Sequence, residues 1–149
     1  LKNASLFSCL TGLRISDILN LTWDKIVLGA DNGYCLRLRT EKTETETTLP
    51  ISFEALELCG ERGKGKVFKG LQRSMTQYPL KNWLKKAGIT KNITYHCFRH
   101  TFATLQIALG TDIYTVSKML THKNASTTQV YAELVREKKR ESANKISLT

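Results

Sequence analysis

The dipeptide Asn32-Gly33, set between two short strand-like runs in "KIVLGADNGYCLRLRT", constrains the fold of this chain more than any other feature. Both residues accept the positive φ that a tight strand reversal demands, so the pair is a strong hairpin signal. Across it Tyr34, Leu36 and Leu38 alternate with Cys35, Arg37 and Arg39, giving one apolar face and one basic face. A second turn, "EKTET", leads to "ETTLPI" and completes a three-stranded antiparallel meander with Lys42 near its tip.

The rest of the chain is helical in pattern. Leu6, Leu10 and Leu13, then Ile15, Ile18 and Leu19, carry helical spacing on either side of "TG" and predict two helices joined at Gly12, with Arg14 beginning the second. Ser52 caps "FEALELC", which Gly60 ends, and "ERGKGK" is a basic, glycine-rich loop. Ser74 and Gln77 have capping-box spacing for a helix that runs through Trp83 and Leu84 to Gly88. Phe98, Phe102, Leu105 and Leu109 mark the apolar stripe of the next helix, closed by Gly110. "DIYTVSKML" and "STTQVYAEL" follow, the latter with Ser126 and Gln129 as a capping box and Tyr131 in its second turn. The charged tail "REKKRESANKISLT" reads as a solvated end. The expected fold class is therefore mainly α with a small three-stranded antiparallel β-sheet, in one domain over residues 1–149.

Charge points to the partner. With 23 Lys and Arg against 13 Asp and Glu, the formal net charge is +10, a balance that favours a polyanion and most often nucleic acid. The cysteines, Cys9, Cys35, Cys59 and Cys97, are scattered without a C-x-x-C pair and read as reduced thiols of an intracellular, cytoplasmic protein. No apolar run approaches the ~18 residues of a membrane span, so no membrane partner is expected. The chain opens on Leu1, which suggests a C-terminal fragment of something longer.

Three constellations compete. "HCFRH" puts His96 and His100 one helical turn apart, as zinc ligands would be, but no H-E-x-x-H or paired-cysteine spacing accompanies them. "TVSKMLTHKNASTTQVYAEL" has the length of a helix-turn-helix, which would make Tyr131 a packing or phosphate-contacting residue and leave Arg14, Lys42, His96, Arg99 and His122 idle. The third reading employs them all. Attack on a phosphodiester builds negative charge on the equatorial oxygens and expels a poor alkoxide, so two arginines that each grip two oxygens, a proton donor, a proton acceptor and a tyrosine nucleophile form a complete set. Each residue also has an ordinary reading: Arg14 with Asp17 as a surface ion pair, Lys42 in a solvated threonine- and glutamate-rich turn, His96 and His100 bonding buried backbone groups, Tyr131 packed beside Val130 or Leu134.

"TGLRISDILNLTW", "HCFRHTFATLQIALGTDIYTVSKMLTHKNASTTQVYAEL" and the lysine-bearing hairpin together resemble the tyrosine recombinase, or phage-type integrase, family over nearly the whole chain. The final stretch is most similar to integrases of bacterial mobile elements, including conjugative transposons. The resemblance implies that family's C-terminal catalytic-domain fold and cleavage of double-stranded DNA through a 3′-phosphotyrosyl link. Carried onto this sequence, it makes Arg14 and Arg99 the phosphate-holding arginines, Lys42 the acid toward the leaving 5′ oxygen and His96 the acceptor of the tyrosine's proton. His122 would bond a non-bridging oxygen, Tyr131 would be the nucleophile, and Asp17 would support Arg14. Thr121 departs from the glycine frequent before that histidine, and Cys97 is also unusual. No cofactor or metal is implied. The family pattern also implies four subunits on two DNA sites, a missing N-terminal core-binding domain, accessory DNA-bending proteins in some systems, and residues 136–149 packing on a neighbour. A nicking-closing activity like that of a type IB topoisomerase is the same chemistry without strand exchange.

Overall fold

The computed structural model describes residues 1–39, 46–120 and 132–148. Among them the chain is mainly helical with one three-stranded antiparallel sheet, as the periodicities predict. Helix α1 (Lys2–Thr11) ends at Gly12, whose φ of 76° lets its N–H donate to the Ser8 carbonyl at 2.8 Å. A side chain there has no room, because a Cβ would lie 2.6 Å from Phe102 and 2.7 Å from Leu120. The buried face of α1 is Ala4, Ser5, Phe7, Ser8 and Thr11, whereas Leu6 stays exposed, so the leucine stripe does not define the core side of this helix. The buried hydroxyls tolerate that position because Ser5 and Thr11 bond carbonyls one turn back, at 2.9 and 2.7 Å, and Ser8 bonds the Leu13 carbonyl at 2.8 Å. Helix α2 (Ile15–Asn20) follows at once, with Arg14 as its N-cap residue.

Strands β1 (Ile26–Leu28), β2 (Tyr34–Arg39) and β3 (Glu46–Pro50) pair in sequence order. Leu36 lies opposite Ile26 on one side and Leu49 on the other, and all three are buried, which fixes the apolar face of the sheet. The hairpin forms as expected, but over the longer turn 29–33, in which Asn32 alone takes a positive φ, 63°, and the Gly33 N–H bonds the Asp31 carboxylate at 3.0 Å. The predicted alternation fails at the start of β2. Tyr34 is exposed and Cys35 is buried, close against Gly29 of the turn. The "EKTET" turn, and Lys42 with it, lies outside the described residues.

Ser52 caps α3 (Phe53–Leu58) through a bond from the Ala55 N–H at 3.2 Å, as the sequence predicts. The basic loop beyond it is fastened to the sheet, since the Arg62 guanidinium donates to the carbonyls of Ile26 and Trp23, both at 3.2 Å. The capping box expected at Ser74 and Gln77 does not form. Instead Arg73–Thr76 makes a 3-10 turn, the Ser74 hydroxyl bonds Gln72, and α4 (Tyr78–Lys86) starts after Gln77 with proline in its first turn.

Helix α5 (His96–Ala108) buries Arg99, Phe102, Ala103 and Ile107; Leu105 and Leu109 point to solvent, the latter 84 % exposed, which corrects the predicted stripe. Asp112 caps α6 (Ile113–Met119) by accepting from the Thr115 N–H at 2.8 Å. The segment from Thr121 to Tyr131, including the capping box at Ser126 and Gln129, lies outside the described residues. Beyond it the charged tail is helical as α7 (Ala132–Ala143), which touches α5 and exposes most of its side chains from Arg136 onward. Two apolar cores result: one gathers Phe7, Ile18, Ile26, Leu36 and Leu80, and the other gathers Phe102, Ile107, Val116 and Leu120. Gly12 touches the second core from the end of α1, so the loop that carries Arg14 lies at the seam between them. No helix among the described residues is long and apolar enough to cross a membrane.

Candidate active site

The loop Gly12-Leu13-Arg14 is held from behind. Thr11 receives the Leu13 N–H on its hydroxyl at 3.3 Å while Ser8 holds the Leu13 carbonyl, so the backbone that presents Arg14 is fixed on both sides. The Arg14 side chain itself is exposed. Among the described residues it forms no ion pair with Asp17, so the surface pair is not present.

Arg99 is anchored where Arg14 is exposed. It is 6 % exposed, and its Nη1 and Nη2 donate to the carbonyls of Gly12, at 2.7 Å, and Leu120, at 2.6 Å. One guanidinium therefore ties together the end of α1, the first turn of α5 and the end of α6. These two bonds use two of its five N–H groups, and their shortness is that of charge-assisted contacts.

Arg14, His96 and Arg99 line a single open cavity of about 200 Å³, together with Leu13, Ile15, Ser16, Arg73 and Tyr95. Among the described residues no carboxylate lines it. His96 is the first residue of α5, so the positive end of that helix dipole also faces the cavity. Partial burial lowers the His96 pKa from its ordinary value, and the His100, Arg99 and Arg14 charges push it the same way. These causes all favour the uncharged ring, the form that can accept a proton. His100 stacks edge-to-face on His96, with ring centroids 4.8 Å apart, and the described residues hold no group of three metal-ligating side chains.

Two residues of the cavity went unnoticed in the sequence. Tyr95 forms part of the wall, but its hydroxyl is buried and completes no hydrogen bond, although Ser5 stands near enough to moderate its acidity. Burial pushes its pKa up to about 12, which suits a packed wall and not a nucleophile. Arg73 lines the same cavity from the 3-10 turn packed on α2. Lys42, His122 and Tyr131 lie outside the described residues.

The phage integrase family model matches residues 1–138. The tyrosine recombinase XerD of Halalkalibacterium halodurans is 31% identical over 160 residues, which cover 95% of this chain and 52% of that protein. The tyrosine recombinase XerA of Saccharolobus solfataricus is 33% identical over 130 residues, covering 84% of this chain and 43% of its own. Among solved structures, the XerH site-specific recombinase bound to palindromic difH substrate in a post-cleavage complex superposes with a TM-score of 0.73 at 19% identity, covering 97% of this chain and 45% of that one. The chain thus spans about half the length of the curated relatives it matches. A match over nearly all of its residues, in a chain whose T-G-L-R and H-x-x-R segments meet at one cavity, means that it belongs to the phage integrase family.

Proposed function

We propose that this chain is the DNA-cleaving domain of a site-specific tyrosine recombinase, cutting and rejoining double-stranded DNA through a 3′-phosphotyrosyl intermediate. The observation that carries the reading is the convergence of Arg14, His96 and Arg99 from two separate segments on a cavity that no acid among the described residues lines. The Tyr131 oxygen attacks phosphorus, the bond to the 5′ oxygen breaks, and the phenolic proton passes to His96. Lys42 gives a proton to the leaving oxygen, while His122 bonds a non-bridging oxygen. Reversal by an incoming 5′ hydroxyl restores a phosphodiester and frees Tyr131, so no nucleotide is consumed. The arginines do the electrostatic work, since each keeps its charge and matches two phosphate oxygens.

On this reading residues 1–149 are one catalytic unit, and four such units act on two DNA sites. The exposed end of the chain, with Ile146 and Leu148 both open to solvent, packs on a neighbouring unit. Arg14 offers the cleanest test, because its side chain is exposed and holds no part of the fold. In Arg14→Ala, strand cleavage should fall by about 10²–10³ while DNA affinity changes by less than about tenfold. Unchanged cleavage would refute the assignment.

A further inference from the structure

Arg73 is the cavity residue that the chemistry above leaves without a task. It stands on the 3-10 turn Arg73–Thr76, far in sequence from both motif segments, and lines the cavity beside Arg14. The turn is set by its own backbone: the Thr76 hydroxyl donates to the Arg73 carbonyl at 2.7 Å, the Met75 N–H to Gln72 at 3.0 Å, and the Gln77 N–H to Ser74 at 3.1 Å. The side chain takes no part in those bonds. It is exposed, and among the described residues no carboxylate stands within ion-pair distance of it.

Three arginines around one cavity repel each other, and among the described residues nothing acidic lines it to offset that cost. A single phosphodiester carries one negative charge and presents two non-bridging oxygens, which Arg14 and Arg99 already match. The third guanidinium has the same chemistry, and its residue is exposed where Arg99 is buried. The next phosphate of the same strand lies one nucleotide on, about 3.4 Å along the helix axis. We propose that Arg73 holds this second phosphate, adjacent to the one assigned to Arg14 and Arg99, and so sets the register of the cleaved strand in the site. This inference rests on the recombinase reading; Arg73 is a positioning residue in it and touches no reacting atom.

The two possibilities for Arg73 differ in salt dependence. Each phosphate neutralised on duplex DNA adds about 0.9 to the slope of log affinity against log salt. If Arg73 takes a phosphate of its own, Arg73→Ala loses one such unit; if it shares the scissile phosphate with two other arginines, that phosphate stays neutralised and the slope is unchanged. The experiment is binding of the wild-type chain, Arg73→Ala and Arg73→Lys to a random-sequence duplex between about 50 and 200 mM salt. The expected result is a slope shallower by about 0.9 for Arg73→Ala, restored in Arg73→Lys, which keeps the charge. A steep wild-type slope with an unchanged Arg73→Ala slope overturns this inference alone. A wild-type chain without salt-dependent DNA binding overturns the recombinase reading, and the inference falls with it.

Discussion

In the proposed mechanism the histidine that takes a proton from a phenol has to be neutral before the reaction starts, and the surroundings of His96 favour that form. Burial is the main cause of its lowered pKa, followed by His100, Arg99 and Arg14. Folding thus favours the uncharged ring: the stability it contributes is present above the ordinary value of ~6.5 and is lost as pH falls from there toward the lower folded-state pKa. In the free chain, NMR titration should show His96 protonating below ~6.5, and Arg14→Ala or His100→Ala should move that midpoint upward. An unmoved midpoint in both variants would mean that the three side chains do not share one field. The residue types themselves were legible in the sequence, since T-G-L-R and H-x-x-R name Arg14, His96 and Arg99. The anchoring of Arg99 was not, because its partners are backbone carbonyls, which any residue supplies.

Helix ends carry the site more than helix middles do. Gly12 closes α1, approaches Phe102 and Leu120, and offers its carbonyl to Arg99, all within one peptide. Gly12→Ala forces both a positive φ on a residue with a Cβ and a clash with a packed ring. It should cost about 2–4 kcal/mol in thermal denaturation, with DNA cleavage lost along with the Arg99 anchor. A loss below about 1 kcal/mol would show that the α1 end is not as tightly seated as its contacts indicate. At this scale the sequence was a partial guide. The hairpin, the Ser52 cap and the break at Gly12 follow from local chemistry that the chain writes out in order. The leucine stripes misled on α1 and α5, where Ser8, Thr11 and Arg99 occupy buried positions because their polar atoms find carbonyls. Likewise Ser74 and Gln77 have the spacing of a capping box, yet a 3-10 turn uses those residues to bring Arg73 to the cavity.

At the scale of the molecule, charge and topology point the same way. A net charge of +10 attracts a polyanion from a distance, and in the proposed function the cavity at the seam of the two cores gives that attraction a chemical use. Arg73 shows what sequence order conceals: Arg14, Arg73 and Arg99 are distant along the chain and meet only once α2, the 3-10 turn and α5 have packed. The central claim concerns Tyr131, and it is tested most directly by trapping the covalent product. The chain is incubated with a pool of nicked duplexes of random sequence, adducts that survive denaturation are enriched, and the linked peptide is identified by mass spectrometry. The account predicts a 3′-phosphate on Tyr131, a free 5′ hydroxyl on the other strand end, and no adduct from Tyr131→Phe although its DNA affinity is retained. An adduct on another residue, or one that persists in Tyr131→Phe, would contradict it.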